Sequence, residues 1–270
     1  MNTNNYLAAW SEKLLSAGRY SFSLGELRSN QKDLSDEAVK SALRRLSEKK
    51  KIASVFNGYY IIIPPQYALR GILPAPLFLD ALMKHLNRPY YVSLLSAAAL
   101  HGAAHQQPQE YFVTTSFPQL RPIKKGGLKI NFISVKTIPA ELIQKQKTDA
   151  GYLTISNATL TACDLIQYQK RIGGINRAAA VIDELCEVIT PEDFSPALID
   201  HCKNSTLQRL GFLLEIICNK QELADALYDA LKKEVNALFR IPLKPGRVVK
   251  GGVEENRWKV AMNTEIDIEQ

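Results

Sequence analysis

Asn57-Gly58 stands between two short β-rich runs, residues 52–56 and 59–63, and this pair constrains the first quarter of the chain more than any other feature. A two-residue type I′ turn needs positive φ at both central residues, which Asn and Gly tolerate better than other pairs, so the stretch predicts a tight β-hairpin. That turn sets a register with Phe56 opposite Tyr59, Val55 opposite Tyr60 and Ser54 opposite Ile61, giving aromatic and β-branched cross-strand pairs. Pro64-Pro65 then ends the second strand, because proline donates nothing to a ladder.

Three helix signals precede the hairpin. Leu7, Trp10, Leu14 and Leu15 recur at helical spacing, and Gly18 stops the run. Ser23 and Glu26 have capping-box spacing and Phe22 and Leu27 staple positions, which starts a second helix at Leu24. Ser35 caps a third, with Leu34 placed to staple Val39 and with Asp36 and Glu37 where the helix dipole favours negative charge. In that third helix Ala38, Val39, Ala42, Leu43 and Leu46 share one face. Glu37, Lys40, Ser41, Arg44 and Glu48 point away, with Arg45 at the border. Three short helices followed by a hairpin predict a winged helix-turn-helix over residues 1–68. A Pro-rich connection, PPQYALRGILPAP, leads into residues 69–270, so the expected class is α+β, an N-terminal winged helix-turn-helix followed by a larger mixed α/β C-terminal domain.

The formal charge of +7 is concentrated early: the first seventy residues hold eleven Lys/Arg and six Asp/Glu. A basic excess in a small module is the electrostatic footprint of phosphate binding. Lys40, Ser41, Arg44 and Arg45 are the candidates to enter a major groove, Lys49, Lys50 and Lys51 to contact phosphates, and Asn57 to reach DNA from the hairpin tip. The competing reading is an ordinary helix with solvated charges. Glu37 would repel phosphates unless it accepts from a cytosine amino group.

An apolar share of 46% in 270 residues suffices for real cores. No run reaches the ~18 apolar residues of a membrane helix, and MNTNNYLAAWSEK lacks the pattern of a signal peptide, so a cytoplasmic location is expected. Cys163, Cys186, Cys202 and Cys218 form no C-x-x-C pair and read as buried reduced thiols.

Past the connection, LFLDALMKHL reads as a helix and SLLSAAALHG as another, capped by Ser93 and ended by Gly102. EYFVTT and LKINFISV read as strands with RPIKKGG as a glycine turn between them. GYLTIS is a further strand before NATLTACDLIQY, a helix capped by Asn157. INRAAAVIDELCEVI, PEDFSPALIDHC, TLQRLGFLLEIIC and QELADALYDALKKEVNALF continue as helices, and NRWKVAMNTEIDIE alternates as a strand returning to the sheet.

No phosphate-binding glycine loop, H-E-x-x-H or G-x-S-x-G is present. His101 and His105 share i, i+4 spacing, but Gly102 breaks the helix a metal pair would need. Asp80 and Asp164 are isolated acids, and Glu215 shares a helix with Arg209, which suggests an ion pair. Lys244, Arg247 and Lys250 in IPLKPGRVVKGG could grip phosphates or an acidic protein, or simply be solvated. No cofactor or metal is expected.

The N-terminal winged helix, YVSLLSAAALHGA (residues 91–103), RLGFLLE (209–215) and the terminal IPLKPGR…NRWKVAMN together resemble the AbiEi-type antitoxins of type IV toxin-antitoxin and phage-defence systems. The resemblance spans most of the chain in order. It implies a winged helix that binds inverted repeats in the operon's double-stranded promoter DNA and represses it. It also implies a C-terminal domain that counters a nucleotidyltransferase toxin without catalysis of its own, and it does not imply a stable complex with the toxin. Two other readings stay open on the residues alone: a DNA-targeted enzyme using acids such as Asp164 and Glu215, and a repressor whose second domain senses a small ligand.

Overall fold

The computed structural model describes residues 3–31, 34–103, 110–246 and 255–268. Two compact units emerge, Met1–Tyr91 with Gln109–Ile138 and Lys145–Thr154, and Val92–Pro108 with Pro139–Gln144 and Ile155–Gln270.

The first unit begins with α1 (Thr3–Ser16), β1 (Ser21–Ser23), α2 (Leu24–Asn30), α3 (Asp36–Glu48), β2 (Ile52–Phe56) and β3 (Tyr59–Ile62). The three strands form an antiparallel sheet in the order β1–β3–β2. This order is compatible with the expected winged helix-turn-helix. The predicted caps form: Ser23 accepts from the Glu26 amide at 3.0 Å, and Ser35 accepts from the Ala38 amide at 3.2 Å. Leu7, Trp10, Leu14, Phe22, Leu27, Val39, Ala42, Leu43, Leu46, Ile52 and Ile62 make one core. Within it Trp10 meets Phe22 edge-on at 5.0 Å, and Phe22 stacks on Tyr60 at 5.5 Å.

The hairpin departs from expectation in two ways. Gly58 has φ of 67° but Asn57 does not have positive φ, so the turn is not type I′. Phe56 does pair with Tyr59. A bulge between Ser54 and Phe56 then shifts the ladder, so that Ser54 faces Tyr60 and Ala53 faces Ile61 in place of the expected Val55–Tyr60 and Ser54–Ile61 pairs. The extra residue is accommodated by the Ser54 hydroxyl, which donates to the Phe56 carbonyl at 3.2 Å, and it leaves Val55 buried. A tertiary contact fixes the tip: the Leu24 amide donates to the Gly58 carbonyl at 2.7 Å, supplying a partner for the first turn of α2.

The chain continues through α4 (Leu79–His85), β4 (Tyr90–Val92) and α5 (Leu94–Leu100) to β5 (Tyr111–Ser116), β6 (Ile123–Lys125), β7 (Leu128–Val135), β8 (Ile143–Thr148) and β9 (Gly151–Ser156). These strands make a mixed sheet in the order β6–β7–β5–β4–β9–β8. RPIKKGG is thus not only a turn. Its middle forms β6, antiparallel to β7, while β5 runs parallel to β7. Gly126 and Gly127 connect β6 to β7 with φ of 52° and 81°, the double positive φ that Asn57-Gly58 does not adopt. Ser93 precedes α5 without making a side-chain capping bond.

The second unit is mainly helical: α6 (Ala158–Gln167), α7 (Ile175–Leu185), α8 (Pro196–His201), α9 (Asn204–Phe212) and α10 (Gln221–Glu234). Asn157 caps α6 by accepting from the Leu160 amide at 2.8 Å. All side chains from Ala158 to Ile166 are buried, as expected of a helix that packs against α5, α7 and α9 at once. PEDFSPALIDHC is not one helix: a short 3₁₀ turn at Pro191–Asp193 precedes α8, which Ser195 caps afresh. Past α9 the chain widens into a π turn, Leu213–Ile217. The terminal segment does not rejoin the large sheet either. Its β11 (Val260–Ala261) pairs in parallel with β10 (Ile241–Pro242) in a separate two-stranded sheet.

Side chains of α9 hold that terminal ladder. Gln208 donates to the Phe239 and Trp258 carbonyls at 2.8 and 2.6 Å. The buried Arg209 guanidinium donates to the carbonyls of Pro242, Leu243 and Ser205 at 2.9 to 3.1 Å. Trp258 is fully buried, and a Cβ at Gly211 would lie 2.2 Å from its ring. Gly211→Ala should therefore destabilise the fold by about 3 kcal/mol or more in denaturant titrations, although Gly to Ala inside a helix ordinarily gains about 1 kcal/mol. In the first unit, the Tyr59 hydroxyl is 2.7 Å from that of Ser21, and burial raises its pKa from 10.0 to about 12. The folded state keeps a proton that the unfolded chain releases, so this contribution is complete below pH 10 and is lost as pH climbs towards 12. Tyr59→Phe should flatten the alkaline fall in stability across that window by about 1.4 kcal/mol per pH unit, read from unfolding midpoints against pH.

Candidate nucleic-acid interface

α3 turns an apolar face inward and a polar face outward because its small and branched residues fall at helical spacing. Val39, Ala42, Leu43 and Leu46 are buried, whereas Glu37, Lys40, Ser41, Arg44, Arg45 and Glu48 are exposed. Arg28 pairs with Asp36 at 2.9 Å, linking α2 to the first turn of α3. On the outer face Arg44 Nε lies 3.6 Å from Glu48, with both side chains largely in water. A pair that open contributes little and leaves the guanidinium available to a competing phosphate.

Lys49, Lys50 and Lys51 follow directly and are also exposed. Lys50 takes the left-handed conformation, φ 54°, at the corner where the chain leaves α3 for β2. The Lys51 carbonyl accepts from the Ile63 amide at 2.8 Å, so this basic corner is fixed to the base of the hairpin. Asn57 is exposed at the opposite end, on the tip that caps α2.

The same face extends to residues that the sequence reading passed over. A Cβ at Gly71 would sit 3.8 Å from Lys50 Cδ, and one at Gly126 would sit 3.6 Å from the Arg70 carbonyl. β2 and β6 are also in contact. Exposed Arg70, Lys124 and Lys125 are thereby placed near the basic corner. A signal for them exists in the sequence: residues 49–79 and 111–140 contain no Asp or Glu, while the second stretch carries Arg121, Lys124, Lys125, Lys129 and Lys136.

The other candidates do not assemble. Asp80, on α4, pairs with Lys84 at 2.7 Å and accepts from the Tyr90 hydroxyl at 2.9 Å. Asp164 is buried on α6. Glu215, on the π turn, does not pair with Arg209. Its carboxylate accepts from Arg257 at 2.6 Å and from the Trp258 indole at 2.5 Å, and Arg257 also reaches Asp225 at 2.6 Å. His101 hydrogen-bonds the Ser156 carbonyl at 2.8 Å, and Lys244 is bridged to Asn263 through its backbone. His105, Arg247 and Lys250 lie outside the described residues. Among the described residues, no group of three or more His, Cys, Asp or Glu could hold a metal ion, and no helix is long and apolar enough to cross a membrane.

The family model for the AbiEi antitoxin C-terminal domain matches residues 91–216. Among solved structures, that of the RV2827C protein from Mycobacterium tuberculosis superposes with a TM-score of 0.66, covering 93% of this chain and 90% of that one. At 16% identity the likeness is one of fold. No curated protein matches the chain significantly. Over residues 91–216 the chain is therefore similar to the C-terminal domain of AbiEi antitoxins.

Proposed function

We propose that residues 1–68 are a DNA-binding module that represses transcription of the chain's own operon by binding inverted repeats in its promoter. Residues 69–270 act as the antitoxin domain against a nucleotidyltransferase toxin, in the cytoplasm, without catalysis by this chain and without need of a stable toxin complex. The match of residues 91–216 to the AbiEi antitoxin C-terminal domain supports the antitoxin role. The DNA reading rests on one observation: the outer face of α3 presents Lys40, Ser41, Arg44 and Arg45 together in water, beside the exposed Lys49, Lys50 and Lys51. A helix docked through small apolar residues with basic and hydroxyl side chains outward fits a major groove, and lysines at its end fit flanking phosphates. Arg70, Lys124 and Lys125 add positive charge next to those lysines, so the module's electrostatic field extends past residue 68.

Fluorescence anisotropy on a duplex from upstream of the reading frame tests the assignment. The double variant Lys40→Ala with Arg44→Ala should raise Kd roughly 10- to 100-fold and reduce the slope of log K against log salt by about 2, with unchanged circular dichroism because both side chains are exposed. Lys124→Ala with Lys125→Ala should lower affinity and salt slope while preserving the preference for the promoter over an unrelated duplex of equal length. Unchanged affinity and slope in the α3 variant would remove that helix from the interface. For the antitoxin half, co-expression of the full chain with a nucleotidyltransferase toxin encoded beside it should restore growth, and failure to do so would overturn the toxin assignment.

A further inference from the structure

A cleft of about 170 Å³ lies in the helical unit, formed by the end of α10, the residues that follow it and the terminal segment. Leu231, Val235 and Leu238 give it an apolar lining, and three cations, Lys232, Arg257 and Lys259, share its wall. Tyr228 holds two of them: Lys232 Nζ is 4.5 Å from the ring centre and the Arg257 guanidinium 4.8 Å. Arg257 is already committed, with Glu215 on its Nε and Asp225 on its Nη1, each at 2.6 Å. Lys232 and Lys259 are exposed, and neither makes an ion pair with a described residue. The dipole of α10 favours a cation in its last turn, which accounts for Lys232. It does not account for Lys259, which comes from another segment and stands at φ 54°, a conformation that asparagine and glycine adopt more readily. Its amide donates to the Asn256 carbonyl and its carbonyl accepts from the Ile241 amide, both at 3.0 Å, so the β10–β11 ladder fixes this second ammonium group at the cleft.

We propose that this cleft binds a small organic carboxylate, its charge held by the Lys232 and Lys259 ammonium groups and its compact apolar body by Leu231, Val235 and Leu238. Charge selects the head group. The three cations of the cleft and the two carboxylates on Arg257 leave one net positive charge, which a carboxylate neutralises and a phosphate monoester dianion exceeds. Volume selects the body: the cleft, about 170 Å³, is close to the ~150 Å³ of a cavity that takes up benzene, so a single ring or a short branched chain fits. Arg257 keeps its carboxylate partners and the Tyr228 ring, and the lysines, free of such partners, make the contacts to the ligand. The site is independent of the DNA-binding reading, since none of its residues belongs to α3 or to the basic corner after it.

Titration calorimetry on the full-length protein tests the site with benzoate and isovalerate, one ring and one branched chain. At least one should bind saturably with Kd of about 1 mM or below and raise the melting temperature as its concentration increases. Benzamide and isovaleramide, neutral analogues of the same size, should bind about tenfold more weakly or not at all. The double variant Lys232→Gln with Lys259→Gln, exposed at both positions, should weaken carboxylate binding about tenfold with unchanged circular dichroism. The comparison of acid with amide is made on the unmodified chain, so it stands even if the variant is unstable. The proposal is overturned if neither acid binds saturably, if the amides bind as tightly as the acids, if the folded double variant keeps full affinity, or if inorganic phosphate displaces the bound acid at equal concentration.

Discussion

The inward face of α3 is the contact on which the DNA reading depends. Val39, Ala42, Leu43 and Leu46 share a core with Leu7, Trp10 and Phe22, and burial of each large side chain contributes on the order of 1.5–3 kcal/mol. Two of the four α3 contacts are alanine or valine, which lets the helix sit close to α1 while Lys40, Ser41, Arg44 and Arg45 remain in water. Orientation of the basic face is thus a by-product of packing. A polar residue at Leu43 would disturb both at once, whereas exposed charges can change with little effect on the fold.

Much of this was legible because the signals are local. Ser23, Ser35 and Asn157 cap the helices they were expected to cap, since an Asx or Ser oxygen three residues before a free amide needs no tertiary help. The hairpin's place was legible for the same reason, but its turn and register were not. Gly58 is drawn to the Leu24 amide, a partner in another element, and the ladder absorbs the mismatch as a bulge at Val55. β1 and β6 are three residues long, too short for alternation to reveal. The α9 reading missed longer-range chemistry: Arg209 satisfies its guanidinium on carbonyls and Glu215 finds Arg257, both far along the chain. Of the candidate site, the outward face of α3 could be read from periodicity. The neighbouring Arg70, Lys124 and Lys125 could be suspected only from acid-free stretches, since their proximity to Lys50 comes from folding.

The helical unit uses polar side chains as fasteners for backbone. Gln208 and Arg209 on α9 together donate to four carbonyls of distant segments and to that of Ser205 within α9, and Arg257 is held between two carboxylates and the rings of Tyr228 and Trp258. Short ladders such as β10–β11 have few hydrogen bonds of their own, so external donors of this kind define where the chain lies. The hydrogen-bonding capacity of these charged residues, conspicuous in an apolar sequence context, is thus directed to structure.

The capped hairpin tip carries a consequence for how a module with the proposed DNA-binding role can diversify. Gly58 must present its carbonyl to Leu24, so lengthening the wing to reach further across a duplex would leave the first turn of α2 without that acceptor. Reach and helix stability are opposed at this position. Under the proposed DNA-binding role, new sequence preferences are more accessible through substitutions on the outer face of α3 or among the lysines at the hairpin base, where side chains can be exchanged without moving the backbone, than through insertions at the tip.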